Sequence, residues 1–427
     1  MTNITPIQGI RLSPGAGLDY SSMITPPYDV IDPKLQEKYY EKSSYNVIRL
    51  EYSKSLPDDN IFYNKYTRAA STFQEWLEKD ILYREETPAI YFYDQHFTCG
   101  DKKYLRRGLF CGVELSPFQE GNIIPHEETM DKPKEDRLKL INCCEANFSP
   151  IFGLYRDKDM FIDNLGSILK EKINPVINFT DDDGQTHRVW AATEPKIISA
   201  VQDFFKKKKI FIADGHHRYE TALQFYLQKR KESGDSKKFN HVLMALVNIY
   251  DEGLLSFPTH RLVAQSKIET GTLLSKLQKN FNLSELPRPQ NREQLQSVLE
   301  STTTSTQAKE LSLLLYTSEG KLYKLKLKNL QNLSFPLLDT FVLHELILGS
   351  ILGLGEAERK NQSGLIYLKD EWDAKEFVDS NKALYVFYLN RPPMEKIIDL
   401  AEKGIRMPQK STYFYPKMIT GLIMLKH

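Results

Sequence analysis

The sequence predicts an α/β (α+β) protein built from several domains, and three observations support this prediction. The chain has 427 residues, 41% of them hydrophobic, which is ample for a buried core and too long for one ordinary domain. Segments whose apolar residues follow helical spacing alternate with short segments typical of strands. Short polar turns separate these segments, and the sequence contains no internal repeat.

The first domain is predicted to be α+β and to cover residues 1–115. Residues 45–51 alternate like a strand, whereas residues 61–79 place apolar side chains at helical spacing. Residues 89–114 resemble a hairpin with a turn at Cys99-Gly100-Asp101. The end of this hairpin sets the first predicted boundary.

The second domain is predicted to cover residues 116–265 and the third, again α+β, residues 266–427. The second contains the following predicted elements: a helix from Pro133, a strand over 148–155, a hairpin over 176–191, a helix over 193–205, a strand over 210–213 and a helix over 216–231. The third contains a surface loop over 283–293, a hairpin at Ser318-Glu319-Gly320, a leucine-rich helix over 336–352 and a strand over 384–389.

Charge and composition argue against several classes of protein. Lys and Arg together number 57 and Asp and Glu 56, so the net charge is +1, whereas proteins that coat nucleic acid usually carry a basic excess. The sequence begins without the basic and apolar blocks of a signal peptide and has no apolar run of about 18 residues, so no membrane span is expected. The four cysteines lack CxxC spacing, which favours a reducing cytoplasm.

The main candidate site is the block Asp214-Gly215-His216-His217-Arg218. A strand, an Asp-Gly turn and a helix form an anion site, because the first-turn amides and the helix dipole attract negative charge. Arg218 suits phosphate, and Asp214 suits a divalent cation or a histidine. The alternative is that Asp214 caps the helix and one histidine packs in the core. Four ligand-capable side chains in five residues favour function.

A second candidate element is the loop Pro125-His126-Glu127. A carboxylate beside a histidine, close to lysine and arginine in the sequence, suits acid–base work on a hydroxyl near phosphate. Taken alone, such a segment is more often an exposed loop.

Two further motifs lie nearer the end of the chain. The loop 407–417 contains Lys410, Ser411 and Thr412, whose ammonium and hydroxyl groups suit phosphate, although the glycines of a P-loop are absent. A surface loop with aromatic anchors is the alternative. The segment 258–262 contains His260 and Arg261 at a predicted strand end, where sites of α/β proteins often lie.

The whole chain resembles a large bacterial family of uncharacterised proteins, a domain of unknown function. The resemblance is carried by the following segments: Pro-Pro-Tyr-Asp-Val-Ile (26–31), Tyr-Asn-Val-Ile-Arg-Leu-Glu (45–51), Pro-His-Glu (125–127), Lys-Glu-Asp-Arg-Leu (134–138), Asn-Phe-Ser-Pro-Ile-Phe (147–152), Ala-Asp-Gly-His-His-Arg-Tyr-Glu-Thr-Ala (213–222), Pro-Thr-His-Arg-Leu (258–262) and Met-Pro-Gln-Lys-Ser-Thr-Tyr-Phe-Tyr-Pro-Lys (407–417). Together they span the chain from end to end.

The central part also resembles the ParB/sulfiredoxin-like fold, in particular its free serine kinase branch, which pairs an upstream His-Glu with an Asp-Gly-His-His-Arg turn. This resemblance implies that Glu127 deprotonates a serine hydroxyl, and that Asp214, His216, His217 and Arg218 bind the transferred phosphate and its metal. Residues 156–209 would then be an insertion. Sulfiredoxin itself has a cysteine nucleophile where this chain has His216, so cysteine chemistry is not expected.

The leading hypothesis is a phosphotransferase between a nucleotide, ADP or ATP, and a small hydroxylated metabolite, with serine or O-phosphoserine as the preferred pair. It assigns catalysis to Glu127, Asp214 and His217, with Mg²⁺ on Asp214. Phosphate or nucleotide contacts are assigned to Gly215, His216, Arg218, His126, His260, Arg261, Lys410, Ser411 and Thr412. Two alternatives stay open: a phosphatase that uses water as the acceptor, and a nucleotide-dependent ParB-like regulatory protein.

Overall fold

The computed structural model describes residues 1–127, 129, 131–234, 237–303, 311–328, 333–355, 358–359, 363–391 and 393–427. These residues form two compact units: unit 1 is Met1–Leu255 together with Pro416–His427, and unit 2 is Ser256–Tyr415. Unit 2 is therefore an insertion in the chain of unit 1. The predicted division near residue 115 falls inside unit 1, because one large sheet draws strands from both sides of this residue. The predicted division near residue 265 falls inside unit 2.

The core of unit 1 is a nine-stranded mixed sheet. The strands of unit 1 are β1 (Ile4–Thr5), β2 (Ile10–Leu12), β3 (Leu82–Arg84), β4 (Ile90–Cys99), β5 (Lys102–Glu114), β6 (Ile123–Pro125), β7 (Ala146–Asn147), β8 (Ile151–Tyr155), β9 (Ile177–Thr180), β10 (Thr186–Ala192), β11 (Ile210–Asp214), β12 (His241–Asn248) and β21 (Leu425–Lys426). The order in the large sheet is β6-β11-β8-β12-β5-β4-β10-β9, and β1 pairs with β5. The pairs β6–β11 and β8–β12 are parallel, and its other pairs are antiparallel.

The helices of unit 1 are α1 (Tyr20–Met23), α2 (Pro33–Lys42), α3 (Ile48–Glu51), α4 (Lys65–Glu78), α5 (Asp131–Cys144), α6 (Phe161–Lys170), α7 (Pro195–Phe205) and α8 (His216–Ser233), with 3-10 helices at Tyr28–Val30, Phe118–Glu120 and Lys237–Phe239. The helices α5–α8 pack apolar side chains against the large sheet. Ile162, Val201 and Phe225 from three of these helices share one buried cluster with Phe92 and Met244 of the sheet. Burial of such side chains stabilises the unit by about 1.5–3 kcal/mol each.

Most elements predicted for unit 1 are confirmed. The hairpins predicted at 89–114 and 176–191 are the pairs β4–β5 and β9–β10, and the predicted helix over 193–205 is α7. The predicted strand, turn and helix over 210–231 are β11 followed by α8. The mixed α/β class and the multi-domain layout are likewise what the structure shows.

The strand predicted at residues 45–51 is wrong, because this segment contains the short helix α3. Asn46 explains the difference: its side-chain oxygen accepts from the amide of Ile48 at 2.9 Å. Its amide group donates to the carbonyl oxygens of Ser22 and Ile24 at 2.8 and 3.2 Å. A buried asparagine that caps a turn in this way overrides the alternating pattern. One consequence is that Glu51 ends a helix instead of a strand.

Unit 2 contains a six-stranded antiparallel sheet with the order β15-β17-β16-β19-β14-β18. The strands not yet named are β13 (Leu255–Phe257, at the junction), β14 (His260–Val263), β15 (Phe281–Leu286), β16 (Ser312–Thr317), β17 (Leu322–Leu327), β18 (Leu365–Leu368), β19 (Tyr385–Tyr388) and β20 (Tyr413–Tyr415). The helices are α9 (Thr270–Asn280), α10 (Arg292–Thr303), α11 (Asp339–Phe341), α12 (Glu371–Asp379) and α13 (Met394–Glu402), with a π-helix at Val342–Ile351.

The hairpin predicted around Ser318-Glu319-Gly320 is confirmed as β16–β17. The surface loop predicted over 283–293 is wrong at both ends, because residues 283–286 belong to β15 and α10 begins at Arg292. Polar residues on β15 misled the prediction: within the part of the chain that the structure describes, this strand pairs with β17 alone, and it exposes Asn282, Ser284 and Glu285. Among the residues that the structure describes, none of the helices combines the length and apolar character needed to cross a bilayer.

Candidate active site

Two parallel neighbouring strands of unit 1 end in the polar residues singled out from the sequence. In the pair β6–β11, Ile212 lies opposite Pro125. His126 and Glu127 follow β6 directly, and Asp214 ends β11 just before α8. The carboxyl ends of neighbouring parallel strands meet at one edge of the sheet, which is where α/β proteins bind ligands. The structure therefore brings the two main sequence motifs together.

At the first turn of α8, the Arg218 side chain packs closely against the backbone of Gly215. Gly215 has φ of 91°, a conformation that favours glycine, and its carbonyl accepts the first helical bond from Tyr219 at 3.0 Å. A Cβ at this position would lie 2.9 Å from the guanidinium of Arg218. Among the described residues, no side chain caps the helix. The first turn of α8, which carries His216, His217 and Arg218, is therefore a helix start of the general kind at which proteins bind anions.

His126 and His216 form a buried imidazole pair, with ring centroids 4.9 Å apart. His126 Nδ1 donates to the carbonyl of Ile212 at 2.6 Å, so its Nε2 faces Glu127, whose Oε1 is 3.5 Å away. A carboxylate beside an imidazole whose other nitrogen is fixed is an arrangement that general acid–base chemistry uses. Glu127 keeps 17% of its side chain exposed, which leaves it accessible to a substrate.

His216 is neutral in the folded protein. Burial, followed by the neighbouring imidazole of His126, lowers the pKa of His216 to about 3. Its Nε2 accepts from the backbone amide of His126 at 3.4 Å, which requires the unprotonated nitrogen. His216 thus contributes hydrogen-bonding groups and shape, but no charge, to the site.

This neutral histidine predicts an acid-sensitive fold. The folded pKa of about 3 lies below the ordinary value of 6.5, so unfolding takes up a proton over this range. The contribution of His216 to stability is therefore fully present above pH 6.5 and is lost as the pH falls through about 3. We expect the free energy of unfolding to fall by up to about 1.4 kcal/mol per pH unit from this group. Urea unfolding of the wild type and of His216→Asn at several pH values measures this slope. An identical slope in both proteins would contradict the assignment.

Asp214 is held by two cations. Lys417 donates to its Oδ1, and Arg218 donates to its Oδ2 at 2.8 Å. Burial alone would raise the pKa of Asp214, but the charges of Lys417 and Arg218 lower it to about 2. Asp29 is also close: although it is exposed, the protein atoms around it and then the charge of Asp214 raise its pKa. Asp214, Arg218 and Lys417 therefore form a nearly buried ion cluster, and Asp29 is close enough to interact with it electrostatically.

Arg218 is directed at protein groups, which the sequence did not predict. Its Nη1 donates to the Ser149 hydroxyl at 2.9 Å and to the Pro150 carbonyl at 2.7 Å, while Nη2 donates to Asp214. Only 11% of the side chain is exposed. The guanidinium therefore holds strands β8 and β11 together at the site, in addition to supplying positive charge.

His217 lies on the side of α8 that carries Glu220. Thr129 and Lys134 contact Glu220 at 2.9 and 3.2 Å. Burial lowers the pKa of His217, and the charge of Glu220 works in the opposite direction. His217 is thus a partly exposed imidazole beside an ion pair.

The remaining predicted site residues belong to unit 2. His260 is buried in β14, accepts from the amide of Leu389 at 3.3 Å and packs against the ring of Tyr388. Burial, followed by the charge of Arg261, lowers the pKa of His260 to about 3. This residue is an uncharged part of the core of unit 2.

Arg261 joins the two unit-2 motifs. Its Nη2 donates to the carbonyl of Gln409 at 3.2 Å, and its guanidinium lies 4.6 Å from the ring centroid of Tyr367. Lys410 lies 5.1 Å from the same ring and has φ of 54°. Ser411 is buried and donates to the carbonyl of Pro408, whereas Thr412 is half-buried. The segments 258–262 and 407–412 therefore meet within unit 2.

Three residues of the unit-1 site were missed by the sequence interpretation: Lys417, Asp29 and Ser149. Each stands in a segment that carries the family resemblance, so the motifs themselves were the available signal. Sequence spacing could not predict these residues, because they lie far along the chain from Asp214 and come near it only in the folded protein. The segment Pro416–His427 returns to unit 1, and a bridge between Thr25 and Thr420 brings the two ends of the chain together.

The acidic side chains of the site suit only a magnesium ion that is held mainly by substrate phosphates and water. Within the described residues, no group of three or more His, Cys, Asp or Glu side chains is arranged to hold a metal. Mg²⁺ in nucleotide enzymes is usually bound by one or two carboxylates, with substrate phosphates and water completing the shell. Asp214 and the nearby Asp29 are two carboxylates of this kind, and the Asp214 oxygens also accept from Lys417 and Arg218.

Comparison with known proteins places the chain in a family. One family model matches residues 4–343, and its description is "Protein of unknown function (DUF1015)". No curated protein matches the chain.

Solved structures resemble parts of this one at low identity. A free serine kinase in complex with AMP has 15% identity and a TM-score of 0.35, and the match covers 72% of this chain and 86% of that chain. A conserved hypothetical protein from Pyrococcus furiosus has 14% identity and a TM-score of 0.35, over 73% and 92%. SbnI from Staphylococcus aureus, with a C-terminal truncation, has 10% identity and a TM-score of 0.33, over 73% and 85%.

Proposed function

The chain belongs to the DUF1015 family, and we propose that it is a phosphotransferase that moves phosphate between a nucleotide and a small hydroxylated metabolite. Serine and O-phosphoserine are the proposed pair of metabolites, and ADP and ATP the proposed nucleotides. The observation that supports this function is the meeting of Glu127 with the first turn of α8 at the ends of two parallel strands. A proton acceptor and an anion site then share one edge of the sheet.

Glu127 is the proposed base. Its carboxylate takes the proton of the substrate hydroxyl, the hydroxyl oxygen forms a bond to the phosphorus, and the bond from phosphorus to the nucleotide oxygen breaks. His126 orients Glu127, because its own ring is fixed by the carbonyl of Ile212. In the reverse direction the same carboxyl group returns the proton to the serine oxygen.

The phosphate is proposed to lie over the first turn of α8. The amides of His216 and His217 and the imidazole of His217 donate to its oxygens, while the positive charges of Arg218 and Lys417 offset its charge. Asp214 is the proposed Mg²⁺ ligand, with Asp29 as the second carboxylate. When bound, the ion neutralises phosphate charge; the protein's own residues position the reacting groups.

The unit-2 residues have a more limited proposed role. Lys410 is exposed and Thr412 half-buried, and both stay proposed phosphate- or nucleotide-binding residues of unit 2. Arg261 and Ser411 are proposed to hold the backbone of this loop, because their hydrogen bonds go to the carbonyls of Gln409 and Pro408. The buried, uncharged His260 packs against Tyr388 in the core of unit 2 and is proposed to support this region from within.

The test is incubation of the purified protein with O-phosphoserine and Mg²⁺, with and without ADP, while serine, free phosphate and ATP are followed. We expect serine and ATP in equal amounts, and only when ADP is present. Serine with free phosphate in the absence of ADP would instead establish a phosphatase. No turnover in either arm would contradict the proposal, and binding of nucleotides and DNA would then test the regulatory alternative.

A further inference from the structure

A buried chain of hydrogen bonds in unit 1 connects Glu51 to Asp214, and the proposed function gives Glu51 no role. We propose that Glu51 is a positioning residue: acting through the Ser149 hydroxyl, it fixes the guanidinium of Arg218 on Asp214. This inference rests on the proposed function, because it concerns the geometry of the same site. Glu51 touches neither substrate nor phosphate in this account.

The donors and acceptors allow only one direction along the chain. The guanidinium of Arg218 can only donate, so the Ser149 oxygen accepts from Nη1 at 2.9 Å. The hydroxyl proton of Ser149 is then free to donate, and Glu51 Oε1 lies 2.9 Å away. Glu51 is therefore the acceptor that ends the chain. With its carboxylate in place, the hydroxyl of Ser149 cannot turn away and present its proton to Arg218.

The side chains of this hydrogen-bonded chain are buried. Glu51, Ser149 and Arg137 are at most 6% exposed. Burial raises the pKa of Glu51, and the positive charges of Arg137 and Arg218 work against that rise. A buried carboxylate is costly to keep, and apolar residues of similar volume often stabilise a core equally well. The presence of this ionisable group beside Arg218 therefore favours a role in orientation over a role in stability.

A second arginine fixes Glu51 from the other side. Arg137 Nη1 donates to the Glu51 carbonyl at 2.8 Å and approaches its Oε1 at 3.4 Å. Arg137 is in turn held by Asp136 and lies 4.1 Å from the ring centroid of Tyr28. Glu51 is thus the fixed centre of the network, with Arg218 as the member that reaches the proposed site.

A small cavity of about 40 Å³ adjoins this network and guides the choice of variants. It is lined by Glu51, Arg137, Ser149, Arg218 and Thr221, among others. Truncation of Glu51 to alanine would enlarge the cavity, so a loss of activity could come either from lost packing or from a misplaced Arg218. Glu51→Gln keeps the volume, removes the charge and replaces one acceptor oxygen with an NH₂ group, which donates. Ser149→Ala cuts the same chain by removing a single hydroxyl.

A double-mutant cycle tests the coupling. We expect Glu51→Gln to lower kcat about 10–100-fold, as loss of a partner that orients a site residue typically does, with little change in KM. In an Arg218→Lys background the same substitution should have no further effect, since Glu51 acts only through Arg218. Glu41→Gln, on the exposed face of α2, is the matched control. Equal losses in both backgrounds would overturn the inference.

A second measurement needs no turnover. In protein labelled with ¹⁵N-arginine, the Nε–H signal that disappears in Arg218→Lys reports on the guanidinium of Arg218. We expect this signal to shift in Glu51→Gln and in Ser149→Ala, but not in Glu41→Gln. If the wild type transfers no phosphate while the signal shifts, the proposed function fails and the positioning role stands. An unmoved signal in both variants would overturn the positioning role whatever the activity, and Ser149→Ala decides the matter if Glu51→Gln does not fold.

Discussion

Replacement of Glu127 by glutamine is expected to lower kcat about 10²–10⁴-fold, which is the usual contribution of a positioned base. The amide has almost the same shape as the carboxylate but cannot take the proton of the substrate hydroxyl. Glu127 lies beside the His126 ring at the end of β6 and is partly exposed, so the fold should tolerate the change. Steady-state kinetics with O-phosphoserine and ADP measure the loss.

The affinity for nucleotide shows whether Glu127→Gln removes only the proton acceptor or disrupts the binding site as well. Calorimetric titration with ADP should give the same affinity for Glu127→Gln as for the wild type, because Glu127 contacts the hydroxyl and not the nucleotide. Glu135→Gln, an exposed carboxylate on α5, is the matched control and should keep full activity. Full activity of Glu127→Gln would show that another group takes the proton.

The second large effect is expected at Arg218. Lysine keeps the charge but cannot reach Ser149, Pro150 and Asp214 at the same time, because it lacks the planar fork of the guanidinium. We expect kcat/KM to fall about 10²–10³-fold, as it does when one preorganised donor is removed from a reaction site. The free energy of unfolding should also fall by about 1–3 kcal/mol, since at least one nearly buried acceptor loses its hydrogen-bond donor.

The two effects are measured on the same protein. Urea unfolding gives the loss of stability, and kinetics well below the unfolding transition give the loss of activity. Arg230→Lys, at an exposed position near the end of α8, controls for any general effect of arginine replacement in this helix. Wild-type kinetics in a folded Arg218→Lys protein would exclude Arg218 from the site.

The sequence was a good guide wherever the determining contacts are local. The strand, turn and helix at Asp214–Arg218 follow from an apolar run, a glycine with positive φ and helical spacing, all within one short segment. The same holds for the hairpins, whose turn residues lie between matched apolar arms. The convergence of His126 and Glu127 with this turn required only that β6 and β11 be parallel neighbours.

The sequence failed where a side chain is determined by residues far along the chain. Glu51 was assigned to a strand because its segment alternates, whereas Asn46, anchored to the carbonyls of Ser22 and Ile24, turns that segment into a helix. Lys417 reaches Asp214 only because the chain returns to unit 1 after unit 2. No periodicity or local motif encodes such a return, so the cationic partners of Asp214 could not be paired from spacing.

The most direct test of the proposed phosphotransfer is the fate of the phosphate oxygen atoms. The wild type is incubated with O-phosphoserine, ADP and Mg²⁺ in water enriched in ¹⁸O, and the products are followed by ³¹P NMR, in which ¹⁸O shifts the phosphorus signal. The account predicts that phosphorus leaves phosphoserine and appears in the γ position of ATP without any ¹⁸O. Inorganic phosphate that carries one ¹⁸O atom would show water as the acceptor and contradict it, as would phosphoserine that stays unchanged.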